Sequence, residues 1–167
     1  NEKLFSSFEI NGQRIKKIPQ KNEFGFFGIR CKNPMQTGKN RYYFSLLIEN
    51  TSKCNIFLGI TSDVRIGISG GFHNNENIIG YNLFNCNAYI GNTCEKSNYS
   101  RLWRNGDVYS FYIDFEYCSM KLFLNGNEIN SNYINIENEN IFYPCLDIKD
   151  PNDKVRFVDN IFINIKK

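Results

Sequence analysis

The chain has 167 residues, a formal net charge of +3, 41% hydrophobic and 16% aromatic residues, which is enough for one substantial core and makes one domain the default. Its cations are scattered apart from Arg14-Lys16-Lys17 and Lys166-Lys167; these runs are too short to argue for nucleic acid and read as solvated surface. No apolar run reaches membrane-spanning length and no signal peptide is visible, so neither membrane insertion nor a nucleic-acid partner is expected.

Ile, Tyr and Phe are abundant while Ala and Met are scarce, a bias that favours strands. In chain order, Ser7 to Ile10 and Arg14 to Ile18 read as a hairpin turned at Asn11-Gly12. Phe26 to Cys31 is a further apolar run, and Lys32 to Asn40, with Pro34 and Gly38, is a loop. Arg41 to Glu49 is a strand apolar on both faces, expected to be central and covered on both sides. Asn55 to Thr61 is another, where Gly59 marks a bulge or a close backbone approach. From Ser62 to Gly80 the pattern weakens into a long connection, the kind of segment where binding sites tend to sit. Tyr81 to Phe84 and Asn87 to Ile90 are short strands, and Cys94 to Leu102 is polar loop.

Tyr109, Phe111 and Ile113 alternate with Val108, Ser110, Tyr112 and Asp114, and Met120, Leu122 and Leu124 with Ser119, Lys121 and Phe123, the period of strands with opposed faces. Asn125-Gly126 supplies the positive-φ pair of a tight turn. Asn127 to Asn140 is a second polar connection. Ile141 to Ile148, Val155 to Val158 and Phe162 to Ile165 complete the strands, with a turn at Asp150-Pro151-Asn152-Asp153. No stretch carries helical periodicity. Many short strands with regular turn signals predict an all-β, two-sheet sandwich.

Catalytic signals are weak. A Ser-His-Asp or Cys-His centre would have to use His73, the only histidine, which reads as an exposed loop residue. Gly67, Gly70 and Gly71 lack the GK[ST] of a phosphate loop. Glu49, Asp114, Glu116 and Asp147 are the candidates for a glycosidase carboxylate pair, and turn-bonding or solvated roles suit them better. Cys31, Cys54, Cys86, Cys94, Cys118 and Cys145 form no CxxC pair and no zinc spacing. Cys31, Cys118 and Cys145 fall in or beside apolar strands, where cysteine acts as a small core residue. The expectation is reduced thiols in a cytoplasmic setting, with neither metal nor cofactor. Two Asn-x-Ser/Thr triplets begin at Asn50 and Asn98, as chance allows in so Asn-rich a chain.

Several of these segments together resemble a SPRY domain, the core of the B30.2 class, from about Arg41 to Val158. RYYFSLLI resembles the family's opening strand and NIFLGIT the next. IGYNLFNCNAYIG is similar to its glycine-tyrosine segment. WRNGDVYSFYIDF and MKLFLNG resemble its Gly-Asp to Asp-Phe strand and the Asn-Gly-terminated strand after it, and IFYPCLDI its Leu-Tyr-Pro-Ala-Val segment. The chain departs from the pattern at Tyr117-Cys118, where a turn such as Asn-Gly is usual, at Ser45, where an acidic residue is common, and at Ser110, where glycine is common. A primed turn at Tyr117-Cys118 would require costly positive φ at both residues.

The resemblance implies a bent, concanavalin-like sandwich of two antiparallel sheets with little or no helix, the strands of residues 1–40 completing the 41–158 core in one domain. The start at Asn1 suggests excision from a longer protein. It also implies a non-catalytic module that recognises a peptide or partner surface through loops at one end of the sandwich, hosts of the class including tripartite-motif ubiquitin ligases, SOCS-box adaptors, Ran-binding scaffolds and ryanodine receptors. By the resemblance, the contacts would come from Thr61, Asp63 and Arg65, from Tyr81, and from Lys149 and Asp150, in a domain that is monomeric when isolated. The alternative is a carbohydrate-binding module using Tyr81, Tyr89 and Tyr99 as an aromatic platform; a third is a purely architectural domain.

Overall fold

The computed structural model describes residues 8–19, 25–38, 40–99, 103–136, 141–158 and 163–164. Among them, antiparallel strands form two facing sheets. With strands numbered in chain order, the first sheet runs β1 (Phe8–Asn11), β2 (Arg14–Lys17), β14 (Lys154–Phe157), β4 (Arg41–Asn50), β10 (Val108–Asp114), β11 (Ser119–Leu124) and β12 (Asn127–Tyr133). The short β15 (Ile163–Asn164) pairs with β4 at Tyr42 and Tyr43. The second sheet runs β6 (Gly67–Ser69), β3 (Phe27–Arg30), β13 (Tyr143–Ile148), β5 (Ile56–Thr61), β7 (Ile78–Asn82), β8 (Ala88–Ile90) and β9 (Thr93–Glu95). A single 3-10 turn, Phe72–Asn74, is the helical element among the described residues.

Alternation decides what each strand buries. Tyr42, Phe44, Leu46 and Ile48 of β4 face inward with Tyr109, Phe111 and Ile113 of β10 and Met120, Leu122 and Leu124 of β11. They meet Ile56, Leu58 and Ile60 of β5, Ile79 and Tyr81 of β7, and Leu146 and Ile148 of β13. Each such side chain contributes roughly 1.5–3 kcal/mol by leaving water. The outer face of β4 is only half covered at Tyr43, Leu47 and Glu49, so this strand is central but not buried on both sides. Opposite each other on that outer face, Ser45 and Ser110 share a 2.7 Å hydroxyl hydrogen bond. The two departures from the family pattern therefore satisfy one another.

Turns refine the sequence reading. The first hairpin pairs Asn11 with Arg14, so its two-residue loop is Gly12-Gln13, one place later than expected. Asn125 and Gly126 both have positive φ, 49° and 83°, as a primed turn requires. The other connection of that meander spans Phe115 to Cys118, since Asp114 pairs with Ser119. The Asp114 carboxylate accepts the N–H groups of Glu116 and Tyr117, each at 3.0 Å, and Cys118 alone in the loop takes positive φ, at 48°. Tyr117-Cys118 is therefore not a strained two-residue turn. The sequence reading missed β6, β9 and β12, taking all three for loop.

Gly59 and Gly80 stand opposite each other on β5 and β7. A Cβ on Gly59 would collide with the Ile79 carbonyl, and one on Gly80 with the Phe57 ring, so the glycine marks a close approach rather than a bulge. Phe57 belongs to a second, smaller cluster with Phe72, Ile78 and Cys145 on the outer face of the second sheet. All six cysteines are free thiols: Cys54, Cys86 and Cys145 are buried, Cys31 and Cys118 half-buried, and Cys94 exposed. Burial pushes the Cys86 thiol up to about 11 and Cys31 to about 12, with Cys54 and Cys145 raised as well.

Candidate functional site

Past the end of β5 the chain is held by polar contacts rather than by a ladder. Thr61, fully buried, accepts the N–H of Asp63 on its hydroxyl at 3.1 Å. Asp63 accepts the backbone N–H of Arg65 at 2.9 Å, the Arg65 guanidinium at 3.0 Å from Nε, and Nδ2 of Asn75 at 2.9 Å. The hydrogen bond from Arg65 outweighs burial and holds the Asp63 carboxyl below its ordinary range; its partner Arg65 is raised. From β3, Arg30 donates to the carbonyls of Val64 and Arg65 and lies 3.7 Å over the Tyr143 ring. A loop fixed at so many points presents Val64 at 78% and Ile66 at 38% exposure, with an open Arg65 between them.

Neighbouring loops complete this end. Ser62 donates to the Asn77 carbonyl at 3.2 Å and Gly91 to that of Ile78 at 2.8 Å. Ser62, Asn77, Ile90, Asn135 and Phe142 help to line a cavity of about 330 Å³. A shallower depression of about 460 Å³ lies beside it among Arg65, Ile68, Asn74 and Asn92, and Glu76 borders both.

Of the six residues expected to touch a partner, the structure brings Thr61, Asp63 and Arg65 to this end, and only Arg65 offers an open side chain. Tyr81 is 0% exposed and its hydroxyl donates across the sandwich to the Met120 carbonyl and Asn132 Oδ1, at 3.2 and 2.9 Å. It joins the two sheets, and its side chain is not available to a partner. Lys149 and Asp150 follow Ile148, which pairs with Ile56, whereas Thr61 pairs with Tyr143. They therefore sit at the far end of β5, roughly 17 Å away at a strand rise of about 3.3 Å per residue. There Asp150 accepts Asn55 Nδ2 at 2.8 Å. The six do not form one patch. Val64, Ile66 and Arg30 complete the end surface, and the sequence signal for it was only an apolar-flanked arginine leaving a strand.

The other chemical candidates fall into structural roles. His73 is not an exposed loop residue: its side chain is 13% exposed, lies 4.2 Å from the Phe26 ring and meets Asp147 Oδ2 through Nδ1 at 2.9 Å. Asp147, wholly buried, also accepts the N–H groups of Phe72 and His73, both at 2.8 Å, and so clamps the 3-10 turn onto the sheet. No serine, threonine or cysteine among the described residues bonds the His73 ring. Asp114 and Glu116 both pair with Arg41, at 2.7 and 3.1 Å, and Glu49 is held by cations on β2 and β14. Among the described residues no three His, Cys, Asp or Glu side chains are placed to hold a metal, and no helix is long and apolar enough to cross a membrane. The aromatic platform for a sugar is not assembled, since Tyr81 is internal and Tyr89 packs edge-on to Phe57 at 6.0 Å.

Two facing antiparallel sheets with loops gathered at one end define the class as a bent β-sandwich. Its particular form is the SPRY fold. The SPRY domain of human HERC1 superposes with a TM-score of 0.68 over 92% of this chain and 95% of its own, at 16% identity. A human SPRY domain gives 0.67 over 90% and 94%, at 12% identity. The TRIM65 PSpry domain gives 0.66 over 95% and 97%, at 10% identity. No protein-family model matches the sequence, and no curated protein matches it.

Proposed function

We propose that this domain is a non-catalytic protein-interaction module that engages a peptide or a partner surface through the loop end carrying Val64, Arg65 and Ile66. The SPRY fold supports an interaction role in general. The observation that carries the particular surface is the frame around Asp63 and Arg30, which holds two apolar side chains and a cation outward at little entropic cost on binding. The adjoining cavity offers room for a side chain of the partner. On this reading the domain is the recognition or scaffold part of a larger protein, monomeric when isolated and working in a reducing, cytoplasmic setting.

The test is affinity capture from native lysate with the wild-type domain, a Val64→Asp/Arg65→Glu variant and a Lys149→Glu variant. A partner retained by wild type and Lys149→Glu but lost by the double variant supports the loop end. Loss on Lys149→Glu alone would move the site to the opposite end, and equal recovery by all three would refute the proposal.

A further inference from the structure

The outer face of the first sheet gathers positive charge on β2 and β14. Arg14 and Lys16 of β2 and Lys154 and Arg156 of β14 project from it, with side-chain exposures of 55%, 42%, 43% and 40%. In register, Arg14 stands directly opposite Arg156 and Lys16 directly opposite Lys154. Like charges so placed repel and weaken a sheet. Two carboxylates offset the four cations among the described residues. Glu49 of β4 meets Arg14 Nε at 3.0 Å, Arg156 Nε at 3.2 Å and Lys154 Nζ at 3.6 Å, and Glu9 meets Lys16 at 3.8 Å. Arg156 Nε is buried, and its contact with Glu49 is an ion pair without an aligned hydrogen bond. Both arginines approach Glu49 through Nε, and a guanidinium can grip a further carboxylate in two bonds through its paired terminal nitrogens.

We propose that this face docks an acidic peptide segment of a partner protein, in extended conformation, with carboxylates at alternate positions. Alternate residues on one strand face lie roughly 6.6–6.8 Å apart. An extended peptide presents every second side chain at that same interval, so two of its carboxylates can meet Arg14 and Lys16, or Arg156 and Lys154, in step. The interspersed Glu49 and Glu9 favour such discrete anions over a uniformly negative surface, because a continuous sheet of headgroups would repel both carboxylates. Any contact here adds to one at the loop end, since the two surfaces lie on different sheets.

The probe is a fluorescein-labelled peptide of four alternating Gly-Glu units, followed by anisotropy at low ionic strength. We expect saturable binding that Arg14→Gln/Arg156→Gln weakens about tenfold or more, a difference of about 1.4 kcal/mol. The Arg14→Lys/Arg156→Lys variant keeps part of it, which separates charge from fold, and the far-UV spectrum checks each variant. Glu49→Gln should tighten binding by releasing three cations, and about 0.5 M salt should abolish it. Undiminished binding by a folded double-Gln variant, or weaker binding by a folded Glu49→Gln variant, would overturn the proposal. So would phosphatidylserine vesicles that bind this face more tightly than the peptide, or a peptide with contiguous glutamates that outcompetes the alternating one.

Discussion

Asp153 and Asp63 respond to pH in opposite senses. Burial pushes the Asp153 carboxyl up to about 6, against the hydrogen bonds from Thr51 and Ser52 that lower it. A group raised in the folded state contributes stability that is full below its ordinary value near 4 and is lost as pH rises through about 6. Asp63 is lowered, so its contribution is present above that ordinary value and lost as pH falls through its depressed folded value. Glu49 behaves alike: burial tends to raise it, but the Arg14 hydrogen bond and the neighbouring cations prevail. Asp153→Asn keeps an acceptor for the Thr51 hydroxyl at 2.8 Å and gives up only a long 3.3 Å contact from Ser52. Thermal unfolding should show it more stable than wild type near neutral pH, by about 2 kcal/mol, with the gain gone by about pH 4. A gain of equal size at both pH values would mean that the carboxyl is not raised.

Between elements, the clamp of the 3-10 turn depends on missing atoms as much as on present ones. A Cβ at Gly28 of β3 would lie 2.5 Å from Asp147 Oδ1 and 2.5 Å from the Phe72 ring. Gly28→Ala should therefore cost about 1–3 kcal/mol and loosen the turn, read as a lower denaturant midpoint and faster amide exchange at Phe72 and His73. Unchanged exchange there, with the midpoint lowered, would assign the cost to β3 alone. β10 and β11 were legible in the sequence by their alternation, one face of each entering the core, and β4, β5 and β13 as apolar runs bounded by turn signals, β5 being buried along its whole length. β12 was not, because Asn127-Glu128-Ile129-Asn130-Ser131-Asn132-Tyr133 is an edge strand whose Asn130 and Asn132 reach across to the Cys86 carbonyl and Glu95. Its pattern belongs to a side of the sandwich, not to a face.

For the molecule as a whole, identities of 10–16% accompany superposition over at least 90% of the chain. Alternation, primed turns and the facing glycines tolerate many residue choices, so the fold persists where a sequence match fails. The connection that begins at Ser62 was legible because it follows a strong strand, whereas Thr61, Asp63 and Arg65 were singled out only by the resemblance to the family. The burial of Tyr81 was not legible, because its hydroxyl is satisfied by Asn132, 51 residues on, and nothing local marks which side of β7 is internal. Nor could the separation of Lys149 from Arg65 be read before β13 and β5 were known to pair antiparallel.

The buried thiols make the sandwich its own stopwatch. Maleimide added to the native domain should modify exposed Cys94 at once, whereas Cys145, Cys54 and Cys86 wait for a fluctuation that uncovers them. Cys145 lies in the outer cluster under the 3-10 turn, and Cys54 and Cys86 lie in the main core. Lifting the turn is a smaller event than parting the sheets, so mass spectrometry should find Cys145 alkylated well before the other two. If all three were modified at one rate, cover and core would open together, and the protein would have a single breathing motion rather than two.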